Sequence, residues 1–195
     1  MPTTFANPSA LIGQPGDLGT SDWIPVEQSR IDGFADATGD HQWIHVDRER
    51  AKAGPLGTTI AHGYLTLSLA PVMLAQVVDV ANVTAAVNYG LNKVRFPAPV
   101  PVDSRVRGHV SLISAAARKS SVEAVFGLTV EIEGSQRPAC VAELVVLRLG
   151  ERGDAHVGRG GHEHPRAGGI VRLMPNLAVA IGKSPNVLVE RGLIK

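Results

Sequence analysis

Phe34 to Leu74 read FADATGDHQWIHVDRERAKAGPLGTTIAHGYLTLSLAPVML. The stretch sets a polar group, Asp40 and His45, ahead of an apolar run that opens at His62-Gly63 and continues to Val80. Thr66, Ser68, Gln76 and Asp79 interrupt that run. Its apolar residues, Leu65, Leu67, Leu69, Val72, Met73, Leu74, Val77, Val78 and Val80, cover nearly the whole circumference of a helix. That is the pattern of a helix buried by other elements. At 1.5 Å per residue the helix is about 28 Å long, enough to cross a small domain. Pro71 within it predicts a bend or a break. The run is too short and too interrupted to read as a membrane span.

Upstream, Glu27 to Thr38 carries Ile31, Phe34 and Ala35 on one face, an amphipathic helix ended by Gly39. Asp40 to Asp47 reads as a loop. Asp47 caps a short helix from Arg48 to Ala53, and Gly54 to Thr59 is a turn-rich connection. SDWIPV (Ser21 to Val26) reads as a short strand weakened by Pro25. Residues 1–20, with Pro2, Pro8, Pro15 and three glycines, read as an irregular arm with one helical turn near Ala10 to Gly13.

Downstream the pattern changes to strands: Thr84 to Leu91, Val94 to Pro97, Ser104 to Ala115, Ser121 to Glu133 and Arg137 to Leu149. Val122, Ala124, Phe126, Leu128, Val130 and Ile132 keep strict period two, the mark of a half-buried strand. ARKSS and EGSQR are hairpin connections. One long buried helix followed by antiparallel strands predicts an α+β domain over residues 21–150, a sheet wrapped round a helix. Residues 151–195 hold eight glycines, three of the seven histidines and no aromatic residue. They read as a largely disordered tail. His156, His162 and His164 match no closed metal site, and no cysteine lies near them.

The net charge of +1 over 195 residues gives no argument for nucleic acid or an anionic membrane surface. A single cysteine, Cys140, fits a reduced setting, and the N-terminus shows no secretory pattern, so the cytoplasm is expected. Cys140 lies in an apolar strand and reads as core.

A carboxylate and an imidazole placed as Asp40 and His45 can hold one water between them and move its protons. The same pair also fits an Asp that caps a turn and a His that satisfies backbone carbonyls. Gly63 stands where a helix N-terminus presents unpaired N–H groups and the positive end of its dipole. An unobstructed N–H there suits a developing oxyanion, although a glycine also serves a tight backbone approach. Water activation beside an oxyanion site suits addition of water to a conjugated thioester.

FADATGDHQWIHVD followed by GTTIAHG resembles the MaoC-like hydratase 2 family, the R-specific enoyl-CoA hydratases of hot-dog fold. Phe34, Thr38, Gly39, Asp40, His45, Asp47, Ala61, His62 and Gly63 match the family pattern, and the similarity runs on through NYGLNKVRFPAPVPVDSRV to about Leu149. Gln42-Trp43 replaces the family's Asn-Pro. A serine that some members carry in the central helix aligns near Pro71, so no serine is carried over. The resemblance implies a hot-dog fold and reversible hydration of trans-2-enoyl-CoA to (R)-3-hydroxyacyl-CoA. Asp40 and His45 would share the acid/base work, with Gly63 N–H as oxyanion donor. It implies no metal or redox cofactor, coenzyme A arriving with the substrate, and a homodimer paired through its sheets.

Lys93, Arg95 and Phe96 fall, by the same resemblance, on a segment overhanging an active site. Cationic side chains there suit the phosphates of coenzyme A, and equally a solvated basic edge. Trp43 shapes the pocket, and His62 is a structural residue at the helix cap. The same chemistry on an acyl-carrier-protein thioester, or binding of acyl-CoA without catalysis, are the alternatives.

Overall fold

The computed structural model describes residues 1–150; the expected tail, 151–195, lies outside the described residues. The chain forms strand β1 (Thr3–Phe5), a 3-10 turn (Pro8–Leu11), β2 (Gly16–Thr20) and β3 (Ile24–Val26). Helices α1 (Gln28–Thr38), α2 (Trp43–Val46), α3 (Arg48–Lys52), α4 (Gly63–Ser68) and α5 (Ala70–Val77) follow. Then come β4 (Val78–Val80), β5 (Val83–Arg95), β6 (Ser104–Ala117), β7 (Ser121–Ile132) and β8 (Cys140–Gly150). The main sheet runs β2-β6-β7-β8-β5, with β3 also on β6, and all its pairings are antiparallel. It packs against α5, and the whole is the expected α+β hot dog.

Local signals in the sequence became local structure. Strand β7 alternates buried and half-buried along its full length, with Phe126, Ala124 and Val130 fully enclosed. Ile31 and Ala35 of α1 are buried, and Gly39 closes that helix at φ 77°, in the left-handed region open to glycine. Asp47 accepts Arg50 N–H at 2.9 Å and caps α3.

The break expected at Pro71 is present, and other expectations are corrected. The arm of residues 1–20 is not irregular: β1 pairs in parallel with β4, Thr3 opposite Val78, and β2 pairs with β6. The central helix breaks at Leu69. Pro71 lacks an N–H and its ring collides with the carbonyl four residues back, so it sits in the first turn of a new helix, α5. That helix ends at Val77, and Val78–Val80 turns to strand because β1 offers it a ladder. Nor is the helix enclosed all round: Tyr64 (70% exposed), Ser68, Pro71, Val72 (51% exposed) and Ala75 form an open stripe at helical spacing. The expected loop 40–47 also holds one helical turn, α2, and the two short strands at 84–97 are a single bulged strand, β5. Among the described residues no helix is long and apolar enough to cross a membrane.

The helix can approach the sheet because β6 carries Gly108 beneath it. A Cβ at Gly108 would lie 2.8 Å from Leu128 Cδ1 and 2.9 Å from Met73 Sδ. Both neighbours are buried, so a methyl group here has nowhere to go. Gly108→Ala is expected to destabilise the fold by about 1–3 kcal/mol, the usual cost of overpacking, read as a lower denaturant midpoint; an unchanged midpoint would refute this contact as limiting.

Candidate active site

His45 sits on the one-turn helix α2 and is buried. Its Nδ1 lies 2.7 Å from the Ile60 carbonyl oxygen. A carbonyl only accepts, so Nδ1 carries the proton and Nε2 keeps its lone pair. The His45 backbone is held separately: Gln28 Nε2 donates to the His45 carbonyl at 2.7 Å and to Asp32 Oδ1 at 2.8 Å. Thr59 Oγ1 in turn donates to Gln28 Oε1 at 2.6 Å. Gln28 and Thr59 are both buried. Neither was singled out from the sequence, yet a signal exists: Gln28 lies three residues before Ile31, a polar group on the buried face of α1.

His62 holds the other half. Its Nε2 donates to the backbone carbonyl of Asp40 at 2.9 Å, and its ring stacks on His45 with centroids 3.7 Å apart and 26° between planes. Phe34 tilts against its other surroundings at 5.0 Å. His62 Nδ1 is buried without a hydrogen-bond partner. One side chain thus touches both members of the predicted pair. Expected as a structural residue at the helix cap, it holds the Asp40 main chain and stacks on His45.

The Asp40 carboxylate and the ring nitrogens of His45 and His62 lie within 4.8 Å of one another. Two histidines and a carboxylate so close invite a metal reading. Stacked rings, however, send their in-plane lone pairs side by side instead of converging them on one point, as a tetrahedral ion needs. The set is better suited to handling protons.

Burial holds the His45 imidazole below its ordinary pKa, and the neighbouring His62 adds to this; the Ile60 carbonyl and the Asp40 charge work the other way. Asp40 itself is exposed. A cavity of about 270 Å³ opens beside His45, bounded by Gly63, Thr66, Phe96, Val100 and Ala139. Gly63 is the first residue of α4, where N–H groups lack a partner one turn back. A Cβ on Gly63 would stand 3.1 Å from the Phe96 ring, so glycine is required here for packing as well.

His45, Gly63 and Phe96 therefore line one space, and the Asp40 carboxylate lies within 4.8 Å of a His45 ring nitrogen without bordering that space. The other predicted residues lie elsewhere. Trp43 packs against Gly54 and under the Arg50 guanidinium, 4.6 Å from its ring centre, and does not border the cavity. Lys93 pairs with Glu143 across β5 and β8 at 3.1 Å. Arg95 Nη1 donates to the Val94 carbonyl at 2.7 Å and stays exposed. Arg137, not singled out from sequence, reaches the overhanging segment by donating to the Pro97 carbonyl at 2.7 Å. Cys140 is buried, and burial pushes its thiol up to about 11, in keeping with a core role.

Comparison with known proteins shows the family and the fold. The model of the MaoC like domain matches residues 11–132. The chain is 55% identical over 145 residues to the 3-hydroxyacyl-thioester dehydratase Z of Mycobacterium tuberculosis, covering 73% of this chain and 96% of that protein. In fold it is similar to the (R)-hydratase of A. caviae involved in PHA biosynthesis, with a TM-score of 0.54 at 24% identity over 69% of this chain and 94% of the other. It is likewise similar to the C-terminally truncated HadBC (3R-hydroxyacyl-ACP dehydratase) complex of Mycobacterium tuberculosis, with a TM-score of 0.56 at 16% identity, covering 69% and 96%. The chain belongs to the MaoC-like domain family of dehydratases and has its hot-dog fold.

Proposed function

We propose that this protein catalyses the reversible hydration of trans-2-enoyl-CoA to (R)-3-hydroxyacyl-CoA. The observation that carries the reading is one cavity lined by His45 and Gly63, with the Asp40 carboxylate within 4.8 Å of a His45 ring nitrogen and the lone pair left on His45 Nε2. Water held between Asp40 and His45 loses a proton as its oxygen bonds to Cβ. Electron density moves onto the thioester oxygen, which the Gly63 N–H receives, and Cα takes a proton from the pair. The atoms of one water are added, and the reaction needs no metal or redox cofactor. Arg95 and Phe96 belong to the wall that meets coenzyme A, and the exposed Lys93 would exchange its half-buried partner Glu143 for a phosphate.

An acyl-carrier-protein thioester is the second reading, left open by the name of the Mycobacterium tuberculosis relative, which says thioester and specifies no carrier. Hydration assays on matched CoA and carrier-protein substrates, with chiral analysis of product, test both. Absence of turnover on either, with acyl-CoA still bound, would leave a binding protein.

Asp40→Asn keeps size and removes charge; His45→Gln keeps polarity and removes titration near neutrality. Each is expected to lower kcat by a factor on the order of 10² to 10⁴, the size of lost acid/base catalysis. The double variant should be hardly worse than the poorer single one, since the two act as a unit. Wild-type rates in both singles would refute the assignment.

Because His45 is held low by burial, its protonation is expected below the ordinary imidazole value of about 6.5. The acid limb of kcat/KM should therefore fall below that value and vanish in His45→Gln. The stability sign follows: the unfolded chain takes up the proton first. Stability from neutral His45 is thus full above about 6.5 and is lost as pH falls through the lower folded value. An acid limb above 6.5 would contradict this.

The same reading includes a homodimer. The open stripe of α4 and α5 and the exposed Val87, Tyr89 and Leu91 of β5 form an apolar surface, and among the described residues the outer edge of β5 has no ladder partner. A second copy is the occupant that accounts for a helix apolar all round. Tyr89→Asp is expected to shift the protein from dimer to monomer in light scattering and to lower activity. A wild-type monomer at micromolar concentration would refute it.

A further inference from the structure

Three helical hydroxyls among the described residues turn back to the carbonyl four residues earlier, and one of them does so badly. Thr38 Oγ1 donates to the Phe34 carbonyl at 2.7 Å, and Ser68 Oγ donates to the Tyr64 carbonyl at 2.7 Å. Thr66 Oγ1 comes no closer than 3.4 Å to the His62 carbonyl. Hydroxyl bonds to oxygen normally span about 2.5–3.0 Å, so this contact is weak. The two short bonds belong to exposed residues, where water could serve the hydroxyl equally well. The long one belongs to a residue only 3% exposed. The His62 carbonyl has no need of it either, since it already accepts the Thr66 N–H at 3.2 Å. A buried hydroxyl so poorly bonded is costly, and valine would fill the same space without that cost.

The place of this hydroxyl gives it a use. Thr66 lines the cavity beside His45. Among the described residues, His45 and Thr66 bring the only polar side chains to that cavity, and the rest of its wall is apolar. Thr66 stands three residues after Gly63, so the two share one face of α4. Helical side chains lean towards the start of their helix. The His62 carbonyl and the Gly63 N–H belong to one peptide unit, which sets that oxygen and nitrogen about 2.3 Å apart. Thr66 Oγ1 therefore lies within about 6 Å of the Gly63 nitrogen. Two donors aimed at one oxyanion each stand about 2.7–3.1 Å from it, which this separation permits.

We propose that Thr66 is a further catalytic residue, whose hydroxyl donates to the thioester oxygen beside the Gly63 N–H. This deepens, and rests on, the thioester reading above. Thr66 keeps its proton throughout, and the proton that reaches Cα still comes from Asp40 and His45. The hydroxyl leaves a carbonyl that it holds weakly for an oxygen that gains charge as water adds. Its bond is thus stronger in the transition state than in the free protein, which is the condition for raising kcat.

The test compares the full-length wild type with Thr66→Val, which keeps the shape and removes the hydroxyl, and with Thr66→Ser, which keeps the hydroxyl. Thr66→Val is expected to lower kcat for enoyl-CoA hydration by about 10²-fold, the scale of one lost oxyanion donor, with KM little changed. Its denaturant midpoint should hold or rise, because the bond it loses is over-long. Thr66→Ser should recover most of the rate. An unchanged kcat in Thr66→Val would overturn the proposal, and so would a rate loss that Thr66→Ser does not recover. A lowered midpoint in Thr66→Val would make the hydroxyl a structural bond and overturn it too. Failure of the thioester reading is separate: no enoyl thioester would turn over in wild type. The infrared carbonyl band of bound butyryl-CoA, which has no double bond to hydrate, then decides the role of Thr66 alone. The band is expected at lower frequency in wild type and Thr66→Ser than in Thr66→Val. Equal bands, or no binding of butyryl-CoA, reject the role.

Discussion

The close approach of Met73 to Gly108 governs the rest of the molecule. A sheet that curls needs something of fixed size in its concavity, and interiors are packed too tightly to leave the distance open. Met73 is fully buried, and the glycine beneath it removes the one side chain that would hold the helix away. With α5 seated, α4 follows across the break at Leu69, whose carbonyl accepts the Met73 N–H at 3.1 Å. The start of α4 is then tied to the segment after β5, since Ala61 N–H donates to the Val100 carbonyl at 2.8 Å. A second glycine, Gly63, meets the Phe96 ring there. One glycine sets the depth of the helix, and the other sets how closely the pocket wall comes to its first turn.

Much of this was legible because the signals are local. Strict alternation in β7, the buried face of α1, the αL glycine at 39 and the Asp47 cap each need only a few neighbouring residues. Asp40, His45 and Gly63 were found by their order along the chain, and the fold brings them together. The support around them was not found. Gln28, Thr59 and the Ile60 carbonyl act on His45 from 14 to 17 residues away, and a single polar residue on a helical face does not say what it will bond. Trp43 differs: its place in the family motif, where Gln42-Trp43 stands for Asn-Pro, put it at the pocket, but its ring turns to Arg50 instead.

The remaining misreadings share a cause, which is partners supplied from far along the chain. Val78-Asp79-Val80 alternates over only three residues, too few to distinguish a strand from a helix continuing. What decides it is β1, at the other end of the sequence distance from Thr3 to Val78. Residues 1–20 looked irregular because proline and glycine are common there, but glycine permits the bulge between Asp17 and Gly19 that lets β2 follow β6. The helix read as enclosed all round because its composition reports every surface it will ever cover. Within one chain Leu65, Met73 and Val77 find the sheet, whereas Tyr64, Pro71 and Val72 do not.

The different burial of the two predicted catalytic groups is what allows them different work. Asp40 is exposed, whereas His45 is enclosed and burial holds its imidazole below its ordinary pKa. The structure enforces that contrast through His62. Its donated hydrogen bond fixes the Asp40 main chain at the rim, and its ring covers the face of His45 against the helix. Nδ1 of His45 is committed to Ile60, which leaves Nε2 as the one position on the imidazole free to accept. The arrangement therefore favours the uncharged His45 imidazole, by enclosing it and by placing a second ring beside it.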